Sequence, residues 1–589
     1  MMRNTWYRRS WPGWLILVMG IVGVVDSFPV AAKFPLEKGF SGSHPQPASL
    51  SLEGEGPWVV RAYFSDPQQV RDLAAWLEPW EVIPDQQYLV VGVIRAEYER
   101  LLLAGFHLEV DPILTAELHR PRLALPDQKS GIPGFPCYRT VEETMAAAQA
   151  MALAHPQLAT WADIGDSWEK SQPGGDPGYD LRVLRLTNEE ISGPKPKLFV
   201  MAAIHAREYA TAELILRFAE HLVHHYSLDP DVTWILNHHE IHLLFQANPD
   251  GRKKAEAGAL WRKNTDSGDG CSDPNRWGTD LNRNFGFQWG CCGGSSSAPC
   301  DEVYRGQGAA SEPETQGVQD YVRSQFPDQR DDDLTVAAPD DATGVFVDIH
   351  SYGDLVLWPW GFTSLPAPNA VALQTLGRKL AYWNGYLPKQ AVSLYLTDGT
   401  TQDWAYGELG LAAYIIEVGN WFFQDCDTFE STILPDNLTS LIYAAKVART
   451  PYQTPAGPDI VDIKISPAAV EPGQSVVLVA EVDDTRYSSR NGAEPAQTIL
   501  AAEYYLDTPP WKTDPLPNPQ AMTAVDGGFD EAVEQVQAVV DTSSLSYGRH
   551  ILFIRGQDAA NHWGAFSAVF LSVVNPQQTT YLPLAVKGE

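Results

Sequence analysis

No Cys-x-x-Cys pair occurs anywhere in the 589 residues, and the six cysteines lie far apart except for the neighbours Cys291 and Cys292. That spacing excludes a zinc ribbon and favours disulfides formed in an oxidising compartment. No Gly-x-Ser-x-Gly elbow is present, which removes a serine-hydrolase nucleophile. Gly165-Asp-Ser167 stands in what reads as a loop. There is no internal repeat, and beyond the N-terminus no hydrophobic stretch is long enough to span a bilayer. Basic residues are scarce, 42 Lys and Arg against 74 Asp and Glu, for a net charge of −32. So acidic a surface excludes nucleic acid as a partner and disfavours anionic membranes.

What is present is ordinary globular sequence. Hydrophobic residues make up 44% of the chain and charged residues 20%, enough apolar material for about three or four domain cores. Arg3, Arg8 and Arg9 precede an apolar run from Trp14 to Val25, followed by the small residues Ala31 and Ala32. Residues 1–32 read as a secretory signal peptide, against the competing reading of an uncleaved anchor. The expected product is extracellular, with no stable membrane anchor after cleavage.

Residues 33–130 read as a small open α/β sandwich and linker. Strand patterns stand at Trp58–Phe64, Tyr88–Ile94 and Phe106–Val110, and helical patterns at Val70–Leu77 and Ala96–Leu103. Ser65-Asp66-Pro67 supplies a helix start. The stretch Arg120–Pro136, rich in Pro, Gly and basic residues, is a linker suited to proteolysis. From 137 to 450, helical patterns alternate with the wholly apolar runs Lys197–Ile204, Gly344–Ile349 and Ala412–Val418. Strands apolar on both faces belong inside a sheet covered by helices on each side, so the fold class is α/β, with functional residues gathered at the strand ends. Residues 459–575 read as an immunoglobulin-like β-sandwich, with strand patterns at Ile460–Ile465, Ser475–Val482, His550–Arg555 and Ala565–Val574. The tail, 576–589, is unassigned.

His205 and Glu208 directly follow the first apolar run, and His350 directly follows the second. Two histidines and one glutamate with an open fourth position are the donor set of a catalytic zinc site. Other clusters carry less. His238, His239 and His242 miss His-Glu-x-x-His by one residue and, with His221, His224 and His225, read as structural or solvated. Asp331-Asp-Asp333 reads as a solvated turn rather than a calcium loop.

Asn248-Pro-Asp-Gly251, Leu260-Trp-Arg-Lys263, Asp280-Leu-Asn-Arg-Asn284, His350-Ser-Tyr352, Tyr395 and Ile416-Glu-Val418 occur in the order and approximate spacing of the A/B-type zinc metallocarboxypeptidases. Over residues 137–450 the chain resembles that M14 family, and secreted bacterial members in particular. The resemblance implies a mixed sheet with helices on both faces, preceded by a pro-domain in the place of residues 33–130. It implies one Zn²⁺ held by His205, Glu208 and His350, and Asp280 orienting the first of these histidines. It further implies Glu417 as general base and Arg262 as the group stabilising the oxyanion. Arg283, with Asn282 and Tyr395, would hold the free carboxylate of a peptide C-terminus, and Arg207 would touch residues further back along the peptide. A Cys271–Cys300 disulfide is implied as well. Cys291-Cys292 resembles a Gly-Cys-Cys-Gly-Gly stretch of bacterial relatives whose partners stay open, with Cys137 and Cys426 the remaining candidates.

The physics fits each role. Zinc acidifies water enough for a carboxylate to take its proton. A planar guanidinium suits a carboxylate, and a second one placed where charge develops serves the transition state. The expected protein is a secreted zinc carboxypeptidase acting on peptide and protein C-termini, held inactive until a protease cuts the linker. The alternatives are a cell-wall endopeptidase or amidase of the same fold, or a catalytically dead binding protein. Asn282, Arg283 and Tyr395 favour the exopeptidase, and Glu417 disfavours the dead protein. Where family members carry an apolar residue or an acid at the base of the specificity pocket, this sequence has Gln402. With Gly361 leaving the mouth open, and Thr400 and Asp348 adding polarity, broad specificity for large apolar and basic residues is expected.

Overall fold

The computed structural model describes residues 56–173 and 178–575. The signal peptide read at 1–32 and the tail read at 576–589 lie outside the described residues.

The N-terminal unit is a four-stranded antiparallel sheet of β1 (Trp58–Tyr63), β2 (Glu81–Ile83), β3 (Tyr88–Val93) and β4 (His107–Val110), in the order β2-β3-β1-β4. Its first helix, Pro67–Ala74, starts where Asp66-Pro67 dictates. The Asp66 side chain accepts the Gln68 N–H, and the Gln69 side chain accepts the Asp66 N–H at 3.1 Å. The second helix is Arg95–Leu103. A third helix, Pro112–Leu118, was not anticipated, although Asp111-Pro112 repeats the same start signal and Asp111 accepts from Ile113 and Leu114.

The central sheet has eight strands: β5 (Ala159–Asp166), β6 (Asp180–Leu186), β7 (Lys197–Ala202), β8 (Glu240–Leu244), β9 (Val345–His350), β10 (Leu355–Trp358), β11 (Leu387–Gln390) and β12 (Ala412–Glu417). Their order is β11-β10-β12-β9-β7-β8-β6-β5, with parallel and antiparallel pairs mixed. β7, β9 and β12 are buried almost throughout, as their unbroken apolar sequences require. They run parallel as neighbours, with Ala202 beside Ile349 and His350 beside Glu417, so their carboxyl ends finish together. That shared edge positions the site.

Beyond residue 458, the strands β13 (Asp459–Ser466), β14 (Ala469–Val470), β15 (Val476–Asp483), β16 (Ile499–Leu506), β17 (Gln520–Ala521), β18 (Thr523–Ala524), β19 (Val533–Val540), β20 (Gly548–Asp558) and β21 (Ser567–Val573) form two sheets. Their orders are β13-β15-β19-β18 and β14-β21-β20-β16-β17, and Val476, Leu478, Leu552 and Leu571 share one core between them. The unit is tied to the central domain by a buried Lys379–Asp459 ion pair at 2.9 Å.

Three disulfides are present. Cys271–Cys300 forms as expected. Cys137 and Cys426 bond to each other across 289 residues, and Cys291 and Cys292 form a vicinal bridge instead of taking them as partners. Replacing both Cys137 and Cys426 by Ser should lower the unfolding free energy by about 2–5 kcal/mol, read from denaturant melts.

Several buried carboxyls titrate late. Burial pushes Glu213 and Glu312 up to about 7, and burial with the neighbouring Glu312 pushes Glu314 up to about 8. Because the folded values exceed the unfolded ones, their stabilisation is complete near pH 4.5 and is lost as pH rises through about 7–8. The guanidinium unfolding midpoint should therefore fall from pH 5 to pH 8.5. A midpoint that rises over that window would contradict these assignments.

Candidate active site

The chain leaves β7 through Ala203, at φ 55°, and turns through His205 to Glu208 before helix Tyr209–His225 begins. Glu208 holds the N-cap position but makes no capping bond. Its Oε1 lies 2.8 Å from His205 Nδ1 instead. His350, the last residue of β9, places Nδ1 3.2 Å from His205 Nδ1 and 3.5 Å from Glu208 Oε2. Behind the two rings, Asp280 Oδ1 lies 3.3 Å from His205 Nε2 and Asp348 Oδ2 lies 2.9 Å from His350 Nε2. An ionised carboxylate only accepts, so each Nε2 carries its ring's proton and each Nδ1 presents a lone pair. Two lone pairs and a carboxylate thus converge on one buried point, where Glu208 Oε2 has no hydrogen-bond partner. Such a cluster repels itself without a cation between its members, and its two nitrogens and one carboxylate fit zinc with an open position.

Asp280 is the hub of the neighbouring network. It accepts the Asn282 N–H at 3.0 Å and both Nε and Nη2 of Arg262, at 3.0 and 2.8 Å. Burial alone would raise its pKa, but Arg262, Arg283 and His205 hold it well below the ordinary range. Glu417 ends β12 beside His350. Burial, helped by the Glu208 and Glu78 carboxylates, pushes it up to about 8 against His350 and Arg262. Arg262, Arg283, Asn282, Tyr395, Thr400, Gln402 and Glu417 all line one cavity with the two histidines. Leu357, Ala391, Leu394 and Ile415 form its apolar wall. Its free volume is about 30 Å³, room for one or two waters and no side chain.

The cavity is filled from the N-terminal unit. Glu78, between helix Pro67–Ala74 and β2, pairs with Arg262 and Arg207 and accepts from the Tyr395 hydroxyl at 3.4 Å. Burial disfavours its charge, but the two guanidiniums hold its pKa below the usual value. Trp80 packs edge-on against Phe422 at 5.2 Å, and Glu97 and Arg100 pair with Arg276 and Asp301.

A family model described as zinc carboxypeptidase matches residues 144–436. A relative named zinc carboxypeptidase, from Saccharothrix mutabilis subsp. capreolus, is 30% identical over 328 residues, covering 54% of this chain and 69% of the relative. The chain belongs to the M14 zinc carboxypeptidase family. Carboxypeptidase A1 of Rattus norvegicus is 29% identical over 282 residues, 46% of this chain and 60% of that protein. The match thus spans roughly two thirds of these relatives' lengths. Among solved structures, carboxypeptidase A from Helicoverpa armigera aligns at a TM-score of 0.54 and 23% identity, over 68% of this chain and 98% of that one. Thrombin-activatable fibrinolysis inhibitor aligns at 0.52 and 21% identity, over 67% and 99%. Both share the fold.

For this zinc carboxypeptidase fold, the structure brings His205, Glu208, His350, Asp280, Arg262, Asn282, Arg283, Tyr395, Gln402 and Glu417 around one point. Asp348 is a correction. It does not line the cavity: its Oδ2 is held by His350 and by the Thr401 hydroxyl at 2.8 Å, and its Oδ1 is buried without a partner. Gly361 is another. It does not line the cavity, and a Cβ there would lie 2.4 Å from Thr397 Oγ1, so its missing side chain makes room for Thr397. Arg207 is buried against Glu78, Glu302 and the face of Phe422, and reaches no peptide while Glu78 remains. His242 is structural, bonded to Tyr321 and Glu240. Asp333 bonds to Thr335 in an exposed turn. Sequence reasoning missed Glu78, which no motif marks and only the docking of two units reveals.

Proposed function

We propose that the chain is a secreted carboxypeptidase that removes C-terminal residues from peptides, made as a precursor silenced by its N-terminal unit. The carrying observation is the convergence of the His205, Glu208 and His350 donors with Glu417 and the Arg283–Asn282–Tyr395 group around one cavity. A zinc ion held by those three donors would supply Lewis acidity toward the scissile carbonyl and acidify a nearby water. Arg283, planar and always charged, binds the terminal carboxylate with Asn282 and Tyr395 and so fixes which bond reaches Glu417. Glu417 takes the water's proton and delivers it to the departing amine. Arg262, oriented by Asp280, stabilises the negative charge that develops on the carbonyl oxygen. Three disulfides and the N-terminal signal pattern support export. We read residues 33–130 as the pro-domain and 459–575 as an immunoglobulin-like sandwich.

The test is a matched pair of blocked dipeptides, one ending in a free acid and one in an amide. The zinc-loaded, activated enzyme should strongly prefer the acid. Arg283→Ala should cost about 2–5 kcal/mol in kcat/KM on the acid and much less on the amide. Equal losses on both would remove the exopeptidase reading.

Specificity follows from the cavity. Asp348 is not among the residues lining the cavity, and the floor is neutral: Thr400 Oγ1 and Gln402 Oε1 are buried without partners, beneath the apolar wall. A neutral floor cannot offset a buried Lys or Arg. The broad apolar-plus-basic expectation therefore narrows. Peptides ending in Leu or Phe should exceed those ending in Arg or Lys by about 10–100-fold in kcat/KM, with Glu poorest. A basic preference in such a series would mean that another carboxylate serves the pocket.

A further inference from the structure

Arg283 is aimed by a backbone carbonyl, and that carbonyl has a keeper. Its Nε–H donates to the Gly294 oxygen at 3.1 Å, and its Nη1 donates to the Asn282 oxygen at 2.7 Å. Gly294 belongs to the glycine-rich loop that holds the vicinal Cys291–Cys292 bridge. Loops of this composition do not hold one conformation by themselves, since glycines at positive φ, here Gly290 and Gly293, leave many alternatives open. The loop is held from outside by Asp398, whose carboxylate is fully buried. Oδ2 accepts the backbone N–H of Cys292 at 3.2 Å and of Gly294 at 2.9 Å, and Oδ1 accepts the Ser295 hydroxyl. Gly294 thus gives its N–H to Asp398 and its C=O to Arg283.

The approach is as close as a backbone allows. A Cβ on Gly294 would lie 2.3 Å from the carbonyl carbon of Thr397 and 2.6 Å from the Asp398 nitrogen. Next along the chain, Gly399 has its own missing Cβ 2.4 Å from the Arg283 oxygen, and its oxygen accepts the Phe285 N–H at 2.9 Å. The turn Thr397–Gly399 therefore grips both the loop in front of Arg283 and the backbone that carries it.

We infer that Asp398 is a positioning residue for recognition of the terminal carboxylate: by fixing the Gly294 carbonyl, it sets the direction of the Arg283 guanidinium. This inference rests on the assignment of Arg283 to the substrate carboxylate and adds a specificity-determining residue that touches no substrate. Among the described residues, the Cys292 N–H, the Gly294 N–H and the Ser295 hydroxyl have Asp398 as their acceptor and no other. Its loss lets the Gly294 peptide rotate, and a guanidinium displaced by about an ångström loses much of a bidentate contact.

The experiment uses the zinc-loaded full-length protein, before and after limited trypsin treatment, in the variants Asp398→Ala, Asp398→Asn, Gly294→Ala and Arg283→Ala. Two inhibitors separate the subsites: L-phenylalanine, which carries the free carboxylate, and acetohydroxamate, which binds metal and lacks it. Asp398→Ala should raise the inhibition constant of phenylalanine, and KM for the free-acid dipeptide, about tenfold or more. It should leave acetohydroxamate inhibition and kcat within about twofold. Asp398→Asn keeps an acceptor for the backbone N–H groups and should recover most of the loss. Gly294→Ala, which forces the loop away while leaving Asp398 in place, should reproduce it. A crystal structure of Asp398→Ala should have the Arg283–Gly294 bond broken, a readout independent of activity. Equal weakening of both inhibitors, or an intact Arg283–Gly294 bond without Asp398, would overturn the inference. If instead the wild type does not distinguish acid from amide and Arg283→Ala changes nothing, the carboxypeptidase reading fails while the structural arm still decides the role of Asp398.

Discussion

Glu417→Gln is expected to lower kcat by about 10²–10⁴-fold while zinc content and KM stay near the wild-type values. The amide matches the carboxylate in size, so the end of β12 and its register with His350 should persist. What is lost is the ability to accept a proton. The environment around Glu417 is consistent with that task. In the intact chain burial pushes its pKa up to about 8, so its proton affinity lies well above that of an exposed carboxylate. His350 and Arg262 oppose the shift and keep the ionised form within reach. The measurement is steady-state hydrolysis of a blocked free-acid dipeptide, with zinc determined on the same preparation. A variant that bound zinc and kept near-normal kcat would eliminate Glu417 as the base.

The parts of this site that were legible in the sequence are those fixed by strand ends. Lys197–Ile204 and Gly344–Ile349 are apolar on both faces, so they had to lie inside a covered sheet, and the residues following them had to meet at its carboxyl edge. That position singles out His205, Glu208 and His350, and the family resemblance is what makes them a ligand set. Asp348 was misplaced for a related reason. Alternation along β9 puts it on the same face as His350, but sequence cannot tell whether a carboxylate there faces the pocket or supports the histidine; the Thr401 hydroxyl decides it. The cysteine pairings of Cys137 and Cys426 depend on a contact across 289 residues and carry no local mark. Strand β2 escaped notice because three half-buried residues show no period. Glu78 and Asp398 were invisible for a shared reason: each acts through a tertiary contact, one between units and one between loops, and each stands in an unremarkable stretch of sequence.

Cleavage of the linker should raise kcat/KM on small free-acid substrates by about 10²-fold or more, and Glu78 should carry much of that difference. Three basic residues stand between 120 and 129. Arg120 is followed by proline, which resists trypsin. Arg122 is half-buried, donating to the Gly258 oxygen at 2.7 Å with its guanidinium over the Phe423 ring. Lys129 is exposed, so the Lys129–Ser130 bond is the expected cut, readable by mass spectrometry. In the intact chain Glu78 neutralises Arg207 and Arg262, both buried, and fills the place where a substrate carbonyl would develop charge. Glu78→Gln removes the carboxylate shared by the two guanidiniums and leaves Arg207 only Glu302 and Arg262 only Asp280, at a cost of about 2–5 kcal/mol to docking of the unit. Uncleaved Glu78→Gln should therefore already turn over substrate well above the uncleaved wild type. A pH signature accompanies it. The Glu78 carboxylate raises the pKa of Glu417, and a general base must be ionised to work. Removing that negative charge lowers the pKa and moves the acid limb of kcat/KM to lower pH in the cleaved enzyme than in the intact chain. Full-length protein that matched the cleaved form in both rate and acid limb would rule out Glu78 as the inhibitory group.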